Sequence, residues 1–591
     1  MRVNYQVKPK QISRKENPDF RLNLAVFVCV SAFLIVFLRL FTLMILQHSF
    51  YTALASGSQD MYESLFPKRG EIFLESENAE DLFPLAINRD FYTVYSDDRL
   101  ILDNKTAEDI LDKLSGVFSY DDERKAKVLA QLEKVGDPYE PLEQKVDEET
   151  VDKLKAMDLV GIGFSRFPQR YYPEGSLAAQ VVGFLGKDES GKDIGRYGLE
   201  GYWQQDLAGS GGFLEGAKSA QGSWIPLAGR ALKPAQDGVD LVLAIDRTLQ
   251  FEACKILEEE RKRYEAETAV LIILDPFTGA IKAMCSSPSF DPNKYGDVEN
   301  AEAYNNQTIF TPYEPGSVFK PVIMSAALNE DIVKPDTTFV DSGKAEANCQ
   351  KSIQNADLKS YGLQTMTGVL VNSINTGMVF VANKLGKDKF KQYVEAYGFG
   401  VKTGIELDTE AAGTVDSLYL NKGDKIDCYT ATASFGQGIT VTPLQLVNAY
   451  ATIANGGKMM RPYIVEKIIH PDGKVDITKP REIKTILDKR NASLLSGMLV
   501  NVIDSGEGSL AKVPGYYVAG KTGTAQIAGK GGYTTDLNHT FVGFGPVDDP
   551  KYVMIVKFGK PKLVYASTTA ARTFSKISQF IMQYYHIAPS R

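Results

Sequence analysis

Between Leu22 and Leu46 the chain is almost wholly apolar. At ~1.5 Å per residue this run reaches ~37 Å as a helix, more than the ~30 Å hydrocarbon layer of a bilayer. The residues before it are polar and basic, with Arg2, Lys8, Lys10, Arg14, Lys15 and Arg21 against Glu16 and Asp19. The run is too long for the apolar part of a cleaved signal, and no small-x-small site follows it. Val28 precedes Cys29, so no lipid-attachment box is formed. The basic flank predicts a cytoplasmic tail over 1–21, a transmembrane helix over 22–46 and an extracytoplasmic remainder. Arg39, near the outer end, is expected to snorkel toward the interface.

Beyond the span the periodicity changes. Lys68–Phe73 and Pro84–Ile87 read as short strands, and Ile101–Asp158 has helical apolar spacing at Ile110, Leu111, Leu114 and Val117. The glycines from Gly209 to Gly229 suggest extended, turn-rich structure. A boundary is expected near Lys233-Pro-Ala-Gln-Asp-Gly238, dividing a mixed domain over 47–235 from a second domain over 236–591. In the second, Val239–Ile245 reads as a strand and Leu249–Arg263 as an amphipathic helix. Ala269–Leu274 and Ala280–Cys285 flank a turn at Asp275-Pro-Phe-Thr-Gly279 and read as a hairpin. Helices are expected from Ser317 to about Gly398 and from Pro443 to Ala454. Strands return at Tyr516–Ile527, His539–Gly545 and Tyr552–Phe558, before a helix over Ala570–Tyr584. Strands at both ends with helices between them predict an α+β domain whose sheet joins its two ends.

The length of 591 residues exceeds one domain. Net charge is −8 and no basic block follows the N-terminus, which argues against a nucleic-acid partner. The four histidines show no metal-ligand spacing, and the five cysteines include no C-x-x-C. Cys254, Cys285, Cys349 and Cys428 follow the span and can form disulfides, with the pairing open.

The candidate chemistry lies in Glu314-Pro-Gly-Ser-Val-Phe-Lys320. Ser317 opens an apolar helical segment and Lys320 follows one turn later. A hydroxyl beside an amine is how serine becomes a nucleophile without histidine. Such a pair needs a lysine able to lose its charge, a polar relay and donors for an oxyanion. Ser373-Ile-Asn375, on the helical stretch Gly368–Leu385, offers the relay. Lys521-Thr522-Gly523-Thr524 reads as part of a strand along which a peptide can pair, with Gly523 leaving room for its backbone. Both patterns have decoys. Ser509-Leu-Ala-Lys512 follows a glycine-rich loop, and Lys402-Thr-Gly404 reads as a turn after a helix. Context therefore selects Ser317 and Lys521.

Ser317-Val-Phe-Lys320, Ser373-Ile-Asn375 and Lys521-Thr-Gly523, in that order, resemble the three motifs of penicillin-binding proteins and serine β-lactamases. Arg170-Tyr-Tyr-Pro173, Gly198-Leu-Glu200, Asp275-Pro-Phe-Thr-Gly279, Phe290-Asp-Pro-Asn293, Phe435-Gly-Gln-Gly438, Thr442-Pro-Leu-Gln-Leu446 and Phe541-Val-Gly-Phe-Gly-Pro546 narrow the resemblance to class B penicillin-binding proteins, the monofunctional peptidoglycan D,D-transpeptidases. Arg69-Gly-Glu-Ile departs from the common form, with no Asp-Arg-x-Gly after it. The resemblance implies a membrane anchor, an elongated pedestal or dimerisation domain, and a transpeptidase domain with a five-stranded antiparallel sheet flanked by helices. It implies Ser317 as nucleophile, Lys320 as its base, and Ser373 and Asn375 as proton relay and donor-peptide contacts. Lys521 and Thr522 would take the terminal carboxylate, Gly523 would line the peptide site, and the N–H groups of Ser317 and Thr524 would form the oxyanion hole. No metal or organic cofactor is implied. The implied partners are peptidoglycan stem peptides, β-lactams, a polytopic membrane glycan polymerase, and the division or elongation machinery. Asn375 and the Phe435-Gly-Gln-Gly438 form lean toward the division branch. Two other classes share the fold: a β-lactamase or β-lactam sensor, against which the long pedestal argues, and a non-catalytic wall-binding scaffold, against which the intact Ser317, Lys320 and Lys521 argue.

Overall fold

The computed structural model describes residues 18–46, 67–76, 82–134, 136–215, 231–421, 423, 425–529 and 532–590. The basic tail over 1–17 and the glycine-rich stretch over 216–229 lie outside the described residues. The chain divides into two units, Met1–Lys68 with Gly209–Asp237, and Arg69–Ala208 with Gly238–Arg591. In the first, helix α1 (Pro18–Phe41) continues into a π-turn at Thr42–Leu46. Its segment Leu24–Phe41 has a mean hydropathy of 2.7 and is long and apolar enough to cross a membrane. Large side chains such as Phe33 and Ile35 are exposed along it.

Two main sheets organise the second unit. Their strands in chain order are β1 (Ile72–Glu75), β2 (Phe83–Ser96), β3 (Glu140–Val146), β4 (Ile162–Tyr171), β5 (Asp240–Asp246), β6 (Thr268–Leu274), β7 (Ile281–Ser287), β8 (Val465–Ile469), β9 (Val475–Ile477), β10 (Ala519–Gly529), β11 (Gly532–Gly545) and β12 (Tyr552–Gly559). The first sheet runs β9-β8-β5-β1-β2-β3, with β4 also paired to β2. Its β1–β5 pair is parallel and joins strands distant in sequence. The second sheet is five-stranded and antiparallel, in the order β7-β6-β12-β11-β10. It brings the predicted hairpin beside the three C-terminal strands, as the strand–helix–strand pattern implies.

The expected helical stretch Ile101–Asp158 divides into α2 (Asn104–Phe118), α3 (Asp122–Leu132), strand β3 and α4 (Glu148–Lys155). Asp103, Asp121 and Asp147 cap the three helices through their side chains. The run Glu140–Val146 pairs with β2 because Leu142 and Val146 are buried at strand spacing in the cluster with Val94, Ile110 and Leu114.

Both faces of the five-stranded sheet are covered, so β6 and β12 are buried along nearly their whole length. Alternate residues enter separate cores. Leu271, Ile273, Phe541, Met554 and Val556 face one, and Ile272, Leu274, Val542, Val553 and Ile555 face the other. The helices that pack here or carry the site are α5 (Arg247–Arg263), α6 (Lys320–Asn329), α7 (Met366–Val371), α8 (Asn375–Leu385), α9 (Pro443–Ala454), α10 (Lys489–Ser505) and α11 (Arg572–Tyr584). Leu249 and Leu257 of α5 join Phe574 and Ile577 of α11 in the first core. α6 and α9 are buried in the second almost residue by residue. Disulfides link Cys254 to Cys285 and Cys349 to Cys428, which settles the pairing left open by the sequence.

The pedestal motifs converge on one buried carboxylate. Glu200 has 0% side-chain exposure and accepts from Arg69 Nε at 2.8 Å and Arg170 Nε at 2.7 Å. Arg69, in the segment that departs from the common form, is thus half of an arginine clamp. Burial works against the Glu200 carboxylate, but the two guanidinium groups prevail and hold its pKa below the ordinary range. The stability it contributes is full above the unfolded glutamate pKa and is lost as pH falls through the depressed folded value. Glu200→Ala leaves two buried cations without their partner and should cost roughly 3–5 kcal/mol in urea denaturation at neutral pH. An effect below about 1 kcal/mol would show that water replaces the carboxylate at little cost.

Candidate active site

Ser317 lies on a one-turn 3₁₀ helix, Gly316–Phe319, placed directly before α6. In a 3₁₀ turn residues i and i+3 eclipse, so Lys320 stands over Ser317. The Lys320 N–H donates to the Ser317 carbonyl. Pro321 falls in the first turn of α6, where its missing N–H breaks no helical bond. Ser317 is half-buried, while Val318, Phe319 and Lys320 have no exposed surface.

The turn depends on close backbone packing. Gly316 has φ +61°, and a Cβ there would lie 3.1 Å from Ala525 Cβ on β10. Gly316 N–H donates to the Gly436 carbonyl at 3.0 Å. Gly436 has φ +82°, and a Cβ there would sit 2.2 Å from the Gly316 carbonyl oxygen. Gly438 N–H donates to Glu314 Oε1 at 2.9 Å, and Tyr450 of α9 donates its hydroxyl to the Val318 carbonyl at 2.8 Å. Phe435-Gly-Gln-Gly438 and the helix begun by Thr442-Pro-Leu-Gln-Leu446 therefore brace the turn that carries Ser317.

The predicted helix Gly368–Leu385 is interrupted at the relay. α7 ends at Val371, α8 begins at Asn375, and Ser373 lies between them with φ +54°. A left-handed serine is costly and persists where its surroundings fix it. The consequence is that both the carbonyl and Oγ of Ser373 accept from Lys320 Nζ, the second at 3.1 Å. Asn375 Nδ2 donates to the Gln354 carbonyl at 3.1 Å, so that side chain holds a neighbouring segment and is not bonded to Lys320. Behind it Asp341 accepts from Thr376 Oγ1 at 2.7 Å and Asn355 Nδ2 at 2.8 Å, fixing the start of α8. Nothing in the spacing of Asp341 or Asn355 announced this network.

Lys521 and Thr522 are buried on β10. Lys521 Nζ lies 3.2 Å from the Thr522 carbonyl and 3.3 Å from Thr522 Oγ1. Thr524, two residues on, is exposed and accepts from Ala566 N–H at 3.2 Å. The space expected beside Gly523 is taken by the chain itself. A Cβ there would meet Val318 Cγ1 at 3.0 Å and the Pro315 carbonyl oxygen at 3.1 Å. Glycine at 523 lets β10 approach the nucleophile's turn, rather than leaving room for a ligand on that side.

The two lysines differ electrostatically. Burial pushes the Lys320 amine well below its ordinary pKa, the Lys521 charge adds to that, and Glu507 opposes it. Burial also lowers Lys521, against the same Glu507. Glu507 lies beyond the C-terminal end of α10 and was not singled out by any sequence pattern. The decoys are accounted for. Thr403 and Gly404 cap the Glu410 carboxylate, with Thr403 Oγ1 donating at 2.6 Å and Gly404 N–H at 3.0 Å. Ser509 begins a short 3₁₀ turn of its own, Ser509–Ala511, apart from the helix that carries Ser317.

Comparisons with known proteins bear on the same arrangement. Residues 269–579 match the family described as Penicillin binding protein transpeptidase domain, and residues 64–243 the one described as Penicillin-binding Protein dimerisation domain. Stage V sporulation protein D of Bacillus subtilis is 33% identical over 563 residues, covering 93% of this chain and 83% of that protein. The Peptidoglycan D,D-transpeptidase FtsI homolog of Mesostigma viride is 29% identical over 576 residues, covering 93% and 94%. Penicillin Binding Protein 2X from Streptococcus thermophilus shares the fold at a TM-score of 0.73 and 22% identity, covering 88% of this chain and 80% of that one. Penicillin binding protein 3 of Mycobacterium tuberculosis, solved with aztreonam, gives a TM-score of 0.66 at 25% identity, covering 89% and 98%.

Lys521 has no exposed surface and its amine touches the Thr522 carbonyl and hydroxyl, so a planar guanidinium cannot replace its ammonium without displacing Thr522. Lys521→Arg should lower the rate of acylation by penicillin at least a hundredfold with the fold retained. Lys402→Arg should acylate like wild type. Stopped-flow acylation of both variants measures this, and an unimpaired Lys521→Arg would move the carboxylate site elsewhere.

Proposed function

Because the chain belongs to the penicillin-binding protein transpeptidase family, we propose that Ser317 is the residue acylated in its reaction, the D,D-transpeptidation that cross-links peptidoglycan. The observation that carries this is a fully buried Lys320 bonded to Ser373 on one side and one 3₁₀ turn from Ser317 on the other. The free amine of Lys320 takes the Ser317 proton as Oγ attacks the carbonyl between the two terminal D-alanines of a stem peptide. Ser373 Oγ, in contact with Lys320 Nζ, passes that proton to the leaving D-alanine amine. An amine of a neighbouring stem peptide then attacks the acyl-enzyme, forms the cross-link and regenerates Ser317. Lys521 and Thr522 hold the terminal carboxylate, and the N–H groups of Ser317 and Thr524 receive the oxyanion. Asn375 orients the donor peptide. β-Lactams acylate Ser317 by the same route. None of these steps calls on a metal or organic cofactor.

The domain division at residue 236, into a pedestal over 47–235 and a catalytic domain after it, belongs to the same proposal. So does the topology. The 1–21 tail lies in the cytoplasm, 22–46 crosses the cell membrane, and the rest works outside, where two disulfides are chemically at home. The partner class is a polytopic membrane glycan polymerase of the division or elongation machinery, met through the span and the pedestal.

Two experiments test these points. Ser317→Ala removes one hydroxyl and makes no cavity of note, so covalent penicillin labelling should vanish while thermal stability holds. Ser509→Ala should label like wild type. Intact-mass and peptide mapping decide this, and a penicilloyl group on the Ser509 peptide would overturn the assignment. Protease added to spheroplasts should degrade nearly everything beyond His48. A protected C-terminus would reverse the topology.

A further inference from the structure

Thr522 Oγ1 donates toward Glu507 Oε2 at 3.5 Å and lies 3.3 Å from Lys521 Nζ. A carboxylate of the chain itself is thereby set against the hydroxyl that, with Lys521, forms the cationic end of the site. Glu507 is exposed and stands between Gly506 and Gly508. Both glycine N–H groups donate to the Val502 carbonyl, at 3.1 and 3.2 Å, so the loop is pinned on either side of this one residue. The Glu507 charge bears on Lys320, Lys521 and the Tyr361 hydroxyl alike. Its carboxylate is thus open to water on one side and set against Thr522 on the other. Its position is the one a ligand carboxylate needs, since the same threonine hydroxyl cannot donate to two anions at once.

We propose that Glu507 is a specificity-determining residue that holds the carboxylate subsite in the resting enzyme, so that a carboxylate-bearing stem peptide or β-lactam binds only by displacing it. The inference rests on the transpeptidase reading of the preceding subsection. Glu507 is not a catalytic residue in this scheme. It acts on the encounter step, by repulsion between like charges and by competition for Thr522, while its charge also opposes the lowering of the Lys320 pKa. Its exposure lets the side chain swing outward about the flanking glycines, at a modest cost that water keeps small.

The test measures acylation of the full chain by benzylpenicillin, resolved into the dissociation constant of the pre-acylation complex and the limiting acylation rate. Glu507→Gln keeps the shape and removes the charge. It should tighten the pre-acylation complex about fivefold, the size expected for a like-charge contact in water. The limiting rate should not fall, because losing the Glu507 charge removes an influence that opposes the lowering of the Lys320 pKa, and the melting temperature should stay unchanged. Glu507→Ala should give a similar gain, which separates loss of charge from any loosening of the loop. Unchanged or weaker binding in both variants overturns the proposal, as does a gain confined to the limiting rate. If wild type is not acylated at all, the transpeptidase reading fails as well; if it is acylated and the variants show no gain, only the assignment of Glu507 fails.

Discussion

A lysine amine with no exposed surface, bonded to both oxygens of a left-handed serine, is the constraint on which the site depends. A buried ammonium is unfavourable, and burial pushes the pKa of the Lys320 amine well down, toward the free form. That neutral amine is what a serine nucleophile requires. Its geometry has to be maintained by the surroundings, because Lys320 itself gains little from staying there. Ser373 stays in the left-handed region because α7 must end and α8 begin at that point, and the Asp341–Asn355–Thr376 network fixes the beginning of α8.

The same requirement explains why so many separated motifs meet. The nucleophile's turn is pressed between β10 and the Gly436 loop at distances only glycine tolerates. Tyr450 ties it to α9, which is buried against the sheet. Burial on both faces of β6 and β12 makes the sheet a stiff floor, so the spacing between Lys521 on β10 and Lys320 on α6 is set by core packing rather than by loops. A distant counterpart is the Glu200 clamp, where chain segments far apart in sequence are held by one carboxylate and two guanidinium groups.

Much of this could be read from the chain. The strands of the second sheet, the helices α5 and α9 and the apolar span follow from periodicity, because each buries a regular face or none, while the five-stranded antiparallel arrangement is what the family resemblance implies. The choice of Ser317 and Lys521 over their duplicates rests on helix and strand context, and Ser509 also proves to begin a short 3₁₀ turn. What escaped were features made by tertiary contact. Glu140–Val146 is charged enough to pass for helix, and only pairing with β2 makes it a strand. Ser373 reads as helical because nothing in Ser-Ile-Asn forbids it. Gly523 reads as a ligand's clearance because a missing side chain does not say which neighbour needs the room. Glu507 carries no pattern at all; its part arises only from where β10 brings Thr522.

The two lysines, chemically identical, have to behave oppositely for the site to work. In the proposed reaction one is the base and the other the anion receptor. Depth alone does not separate them, since both are fully buried. Their partners do. Lys320 donates to the oxygens of Ser373, which favour its charged form, while burial and the repulsion of Lys521 push its pKa well down. Lys521 meets a threonine hydroxyl with a carboxylate beyond it, and that anion offsets part of the burial penalty on its charge. Both are desolvated and both feel Glu507, but the Lys521 charge weighs on Lys320, whose amine is the one pushed well below its ordinary pKa. The cation at Lys521 is thus a continuing source of pressure on the proton at Lys320.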